Sequence, residues 1–287
     1  RLELLLRAAE LERCLASSVA GDRVVASARR AFAVHGRACA APDDIVDLHA
    51  GATGGGHSAR ASRMCSAKLC LDASAAAEHR SADASRRLLL GLEDGKTIES
   101  VLLPGDGVCG STQVGCAVGC TCCRTGRDGL LRQLTSGEIV AQVALARSRQ
   151  RVRRVVFMGM GEPAHNLDNV LDAIALLGAE GDLAQKNLVF STVGDRRVFE
   201  RLPRETVKPA LALSLHTTKP ELRAQLLPRA PRIEPAELVA LADEYSRATK
   251  YPTQYQWTLL EGVNDGDDEL DELAALLAGH YAVVNFI

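Results

Sequence analysis

From about Leu88 onward, short apolar runs of strand length alternate with amphipathic stretches of helical period. That alternation predicts βαβ units and a parallel sheet. Strands are expected near Gly110 to Val114, Arg154 to Met158, Asn187 to Thr192, Ala210 to His216, Gln254 to Leu260 and Ala282 to Ile287. The first helix begins at Thr135-Ser136-Gly137-Glu138, where Thr and a Glu three residues on form a capping box, and it ends near the arginines that follow Arg147. Others are expected from Asn166, as N-cap, to Gly178, and over Arg196 to Leu202, Pro235 to Arg247 and Asp267 to Leu277. About six parallel strands make a partial (β/α)6 barrel rather than the closed eight-stranded form. Chemistry in such sheets gathers at the C-terminal strand ends, so Gly159 to Pro163, Ser191 and Ser214 to His216 should converge.

The first 90 residues read differently. They are rich in Ala, Arg and Ser, with helical apolar spacing at Leu2, Leu5, Leu6, Ala9 and Leu11, and with a glycine-rich loop over Gly51 to Ser62. The chain therefore divides into a mainly helical N-terminal accessory region, 1–90, and an α/β core, 91–287.

With 47% hydrophobic residues in 287, the chain can bury a sizeable core. No stretch approaches a membrane span, and Arg1 to Glu12 is an amphipathic charged pattern without a cleavage site, so a soluble, cytoplasmic monomer is expected. An organellar address remains open if a targeting segment has been lost. A net charge of -2 gives no bulk argument for nucleic-acid binding. Any RNA contact must come from a local patch. The run Arg147, Arg149, Arg151, Arg153 and Arg154 is one candidate, although cations at a helix end also suit the helix dipole.

Nine cysteines, four of them between Cys116 and Cys123, argue for a metal in a reducing compartment rather than a disulfide scaffold. Cys14, Cys39, Cys65 and Cys70 read as isolated small hydrophobes. Cys116, Cys120 and Cys123 form C-x-x-x-C-x-x-C, and thiolates on a short loop are what an iron–sulfur cubane requires. Three ligands leave one iron open to a methionine amine and carboxylate. A zinc site is the alternative, and Cys122 permits a second ligand register. Downstream, Met158-Gly159-Met160-Gly161-Glu162-Pro163 follows a strand, where glycines let a ligand approach the backbone and a carboxylate could accept from an ammonium group. A tight βα turn explains that motif equally well. His216, in Ser214-Leu215-His216, also fits a structural strand end.

These residues, with Arg132-Gln133-Leu134-Thr135-Ser136-Gly137-Glu138-Ile139, Asn166-Leu167-Asp168-Asn169-Val170, Ser191-Thr192, Arg223 and Val263-Asn264-Asp265-Gly266, resemble in order the RlmN/Cfr family of radical S-adenosylmethionine RNA methyltransferases. The resemblance runs from about Leu88 to Ile287, and the combination is more specific than any single motif. It implies a 4Fe-4S cluster on Cys116, Cys120 and Cys123. It implies S-adenosylmethionine held by Gly161 and Glu162 at its methionine end and by Ser191, Ser214, Leu215 and His216 elsewhere. Glu99 matches the family's proton acceptor, and Cys109 the cysteine that resolves a covalent enzyme–RNA intermediate. By themselves, Glu99 reads as a solvated strand carboxylate and Cys109 as a core residue.

The implied reaction uses two cofactor molecules. One methylates a cysteine; the other yields a 5'-deoxyadenosyl radical, which activates that methyl group for addition to an adenine ring carbon, carbon 2 rather than carbon 8. Ribosomal RNA is the implied substrate with transfer RNA second, and the electron donor is a flavodoxin or ferredoxin. The resemblance also places the methyl-carrying cysteine and a cofactor-contacting Asn beyond Ile287, so this chain is expected to be a fragment. Two departures stand: the first 90 residues match poorly the family's small helical RNA-binding domain, and Cys122 occupies a usually aromatic position. Competing readings are an offshoot acting on another substrate and a cluster-binding protein without turnover.

Overall fold

The computed structural model describes residues 78–287. The helical pattern expected over residues 2–11, the Gly51 to Ser62 loop and the first four cysteines lie outside the described residues.

Nine strands form one sheet. β1 (Glu78–Arg80), β2 (Arg86–Gly91) and β3 (Thr97–Leu103) are antiparallel, and β3 pairs antiparallel with β4 (Gly107–Cys109). From β4 the sheet runs parallel through β7 (Arg154–Phe157), β8 (Leu188–Thr192), β9 (Ala210–Ser214), β10 (Thr253–Trp257) and β11 (Ala282–Phe286). The sheet has the expected six parallel strands in number, and five of them lie where the sequence pattern places them. Their spatial order equals their chain order, and right-handed crossovers then place every connecting helix on one face, which makes a curling barrel rather than a doubly wound sheet.

The helices are α1 (Ser136–Arg147), α2 (Leu167–Ala179), α3 (Arg196–Arg201), α4 (Pro220–Leu226), α5 (Pro235–Thr249) and α6 (Asp267–Leu277). The capping box of α1 forms as expected: the Glu138 amide donates to Thr135 Oγ1 at 3.2 Å, and the Thr135 amide donates to the Glu138 carboxylate at 2.8 Å. Pro235 occupies the first turn of α5, where its missing N–H costs nothing. On the helix-facing side, Val155, Phe157, Leu188, Phe190, Leu211, Leu213, Tyr255 and Trp257 join the main core with Val170, Ile174 and Leu238. The opposite, inner face carries small side chains, Val156, Val189, Ala210 and Ala212, beside Cys109 and Met158. Both faces are covered, so these strands read as continuous apolar runs.

Several boundaries differ from the sequence reading. The first parallel strand is β4, not Gly110 to Val114. Residues from Gln113 belong to a separate hairpin, β5 (Gln113–Gly115) with β6 (Leu130–Gln133). The sheet also reaches back to Glu78, so strands occupy the last part of the region expected to be helical. Asn166 is not a side-chain cap of α2: its Nδ2 donates to Thr112 O at 2.8 Å and Leu134 O at 2.7 Å instead. Gly178 lies inside α2 rather than stopping it, with Val207 packed where a side chain would stand. No helix among the described residues is long and apolar enough to cross a membrane.

Candidate functional site

The loop 116–129 joins the hairpin strands β5 and β6 and carries the cysteines. Its neck is closed by the Cys116 amide donating to Gly129 O at 2.9 Å. Gly115 has φ +78°, and a Cβ there would overlap Gly129 O, so only glycine fits the neck. Inside the loop the Cys123 amide donates to Cys120 O at 3.1 Å. A second wall comes from α4, where the Thr121 amide donates to Leu226 O at 3.0 Å, and Cys116 and Val118 pack against Val193, Leu226 and Leu227.

Burial pushes the Cys116 thiol up, and neighbouring negative charge on Glu162 and Cys123 adds to it. Burial pushes Cys120 up to about 12, with Cys116 and Cys123 adding. Cys116 and Cys120 therefore resist ionising here without a compensating cation, and soft thiolates are the donor set that iron prefers in clusters. Among the described residues no three His, Cys, Asp or Glu side chains are gathered around a single-ion position. A cluster takes one thiolate at each of three separate corners, which suits sulfurs spread along one loop. Cys122, on the same loop, is exposed.

Above β7, the turn Gly159 to Glu162 is bound to the segment that leads from β4 into the cysteine loop. The Gly159 amide donates to Gly110 O at 3.0 Å, the Thr112 and Gln113 amides donate to Met160 O at 2.8 and 3.1 Å, and the Glu162 amide donates to Gln113 Oε1 at 2.8 Å. Gly161 has φ +105°, and a Cβ there would lie 2.6 Å from Gln113 Cβ. The Glu162 carboxylate is buried, and it accepts from the Ala164 amide at 3.1 Å and the Val193 amide at 3.0 Å. Burial pushes its pKa up to about 7, against the opposing pull of the Thr192 hydroxyl and those amides. Three of its roughly four lone-pair sites are then engaged, which leaves one for an ammonium donor.

Ser191 is the penultimate residue of β8, on the inner face and paired in register with Ala212, and Ser214 ends β9 opposite Gln256. Leu215 is fully buried in the main core, so only its backbone faces outward chemistry. His216 has φ +65°, held by Asn264, whose Nδ2 donates to His216 O at 2.7 Å. Its Nδ1 accepts from the Thr258 amide at 3.0 Å, so the ring proton sits on Nε2. Burial, with the nearby Arg223 charge, pushes its pKa down to about 4, which keeps the ring neutral.

Glu99 and Cys109 lie on neighbouring strands. Val101 faces Cys109 across the ladder, and Glu99 stands two residues along on the same face. Glu99 is half-exposed and 3.3 Å from Arg87. Burial pushes the Cys109 thiol up to about 11.

Three residues that sequence reasoning left without a role shape the site: Gln113, Asn264 and Arg223. Arg223 is buried, donating to Val193 O and to Ser214 O at 3.2 Å, while its Nε has no partner. Its charge acts on both Cys120 and Glu162. Arg223 and Asn264 stood inside recognisable motifs; only their tertiary contacts show what they hold. The arginine run is dispersed: Arg147 bonds Gly181 O, Arg153 pairs with Asp106 at 3.7 Å, and Arg154 donates to Gln254 at 2.9 Å.

A parallel partial barrel with a cysteine loop at its C-terminal mouth, beside a glycine turn and a buried carboxylate, defines a scaffold for a cluster and a small cofactor. The radical SAM superfamily profile matches residues 111–276, and the chain belongs to that superfamily. The family's cofactors are a 4Fe-4S cluster and S-adenosylmethionine, and the donor set just described fits them. The chain is 72% identical over 221 residues to a probable RNA methyltransferase of Aromatoleum aromaticum, covering 77% of this chain and 62% of that protein. It is 73% identical over 210 residues to a probable RNA methyltransferase of Methylibium petroleiphilum, covering 73% and 60%. It thus spans about three fifths of the length of these curated relatives. A solved radical SAM methyltransferase from Sphaerobacter thermophilus superposes with TM-score 0.68 at 37% identity, covering 74% of this chain and 66% of that one.

Proposed function

We propose that this chain is the catalytic core of a radical S-adenosylmethionine RNA methyltransferase of the RlmN/Cfr kind. Its target is an adenine ring carbon, carbon 2 in preference to carbon 8, in ribosomal RNA, with transfer RNA second. The observation that carries the reading is one hydrogen-bonded frame: the segment Gly110 to Gln113 joins Cys109 to the cysteine loop and is bound along its length by the Gly159 to Glu162 turn. The names of the curated relatives support RNA as substrate.

When bound, the cluster and cofactor supply a carbon radical by reductive cleavage of a sulfonium. The chain's residues do the rest. Cys116, Cys120 and Cys123 hold the cluster. Glu162, through its spare lone pair, and the Gly161 backbone receive the cofactor's ammonium end; Ser191, Ser214, the Leu215 backbone and neutral His216 orient the remainder. His216 can only donate from Nε2, since Nδ1 is already occupied. Glu99 accepts a proton from the base. Cys109 resolves the covalent enzyme–RNA intermediate, and burial, which pushes its thiol up to about 11, suppresses the reactive thiolate further.

The test is anaerobic cluster reconstitution followed by assay of 5'-deoxyadenosine and of methylated adenosine with and without an RNA hairpin. A brown chromophore that survives joint replacement of Cys116, Cys120 and Cys123 by Ala overturns the reading. So does cofactor cleavage that never modifies RNA, even in protein extended to the length of the relatives.

A further inference from the structure

The exposed side of the cysteine loop carries arginines that the site does not use. Arg124 and Arg127 are exposed in the loop, and Arg229 and Arg232 are exposed on the chain leaving α4. They belong to one surface. Arg229 Nε donates to Val118 O at 3.4 Å, and a Cβ on Gly119 would overlap its guanidinium; Arg232 donates to Pro228 O at 3.3 Å. On the other flank Gly126, the residue before Arg127, packs so closely that a Cβ there would lie 2.7 Å from Gly119 Cα.

These four differ from most arginines of the core. Arg87, Arg132, Arg197, Arg201 and Arg247 each have a carboxylate partner. Arg124, Arg127, Arg229 and Arg232 form no ion pair among the described residues, although Asp128, Glu221 and Glu234 are exposed nearby in the chain. In a protein of net charge -2, an unpaired basic surface is a local arrangement. Four guanidinium groups without an ion pair are suited to a macromolecule that brings its own negative charge.

We propose that this surface docks an acidic one-electron carrier, a small flavin or iron–sulfur protein, that reduces the cluster. The inference rests on the radical function proposed above. Two observations favour a redox partner over RNA. The substrate base has to reach the inner face of the sheet, where Cys109, Ser191 and Ser214 stand, whereas an electron has only to reach the loop. Moreover, the Gly119 and Gly126 backbones meet without side chains between them, and a Cβ on Gly126 would sit only 3.6 Å from Cys116 O, so little protein separates the arginine surface from the cysteine ligands. The step is one electron out of the reduced carrier and one into the cluster, with no proton transferred.

The test uses the reconstituted full chain and a triple variant, Arg124→Glu, Arg127→Glu and Arg232→Glu. Arg229 is left in place because it packs on the loop. Both proteins should hold equal iron and cleave S-adenosylmethionine equally well with dithionite. With a bacterial flavodoxin and its reductase as the donor, the variant's cleavage rate at low donor concentration should fall tenfold or more. Oxidised flavodoxin titrated calorimetrically should bind the parent in low salt, lose affinity as salt rises, and bind the variant at least tenfold more weakly. Equal flavodoxin binding by the two proteins overturns the proposal, as does weakened binding of an RNA hairpin with flavodoxin binding unchanged, which would assign the surface to RNA. Absence of dithionite-driven cleavage in the parent would sink the radical function itself, while the binding titration still decides the docking surface.

Discussion

Replacing Gly161 by alanine tests whether the glycine turn and the cysteine loop form one rigid frame. At φ +105° an L side chain carries a backbone cost of about 1–2 kcal/mol. The added Cβ also meets Gln113 Cβ and Cγ at 2.6 Å and Oε1 at 2.8 Å, so Gln113 has to move. Gln113 receives the Glu162 amide at 2.8 Å and donates to Gln133 at 2.8 Å, and stranding either buried group costs about 1–3 kcal/mol. The total expected loss is about 2–5 kcal/mol. Gly105→Ala is the control, because Gly105 has φ +74° but nothing lies within 4 Å of the place its new methyl group would take, leaving only the backbone cost of about 1–2 kcal/mol. Denaturant unfolding of both variants, with iron uptake measured after reconstitution, reads the difference. Equal destabilisation of the two, or full iron uptake and cofactor binding by Gly161→Ala, refutes the coupling of turn to loop.

Three further outcomes are expected. Glu162 has its pKa raised to about 7 from 4.5, so its stabilising protonated form is complete below pH 4.5 and lost as pH rises through 7. Unfolding free energy should therefore decline across that window, by on the order of 3 kcal/mol at most, and Glu162→Gln should flatten the profile; an unchanged slope would remove the buried-carboxylate argument. Asn264→Ala deletes bonds to His216 O at 2.7 Å, Thr258 O at 2.8 Å and from the Leu260 amide at 2.7 Å, worth about 3 kcal/mol together, and should weaken S-adenosylmethionine binding measured by calorimetry. Cys122→Ala should keep the full visible absorption of the reconstituted cluster, whereas Cys116→Ala should abolish it; the reverse result would assign the ligands to the other register.

Much was readable from local pattern. The spacing of Cys116, Cys120 and Cys123, the Thr135 capping box, the bounds of Asp267–Leu277 and five of the six parallel strands all arise from chemistry within a few residues, or from apolar runs that only a sheet covered on both faces can bury. The first strands were less legible. Arg86–Gly91, RRLLLG, has no clean alternation, and it becomes a strand because β3 supplies the partner groups. Likewise the strand expected over Gly110 to Val114 does not form as one piece, because β7 captures Gly107–Cys109 just before it and β6 captures Gln113–Gly115 at its end. Tertiary structure alone decided that Glu162 is buried against two amides, that His216 is neutral and left-handed, and that Arg223 is coupled by charge to Cys120 and Glu162. The physical reason is range: caps and ligand spacings are set by neighbours in the chain, but burial and charge coupling are set by residues that meet only when distant strand ends converge.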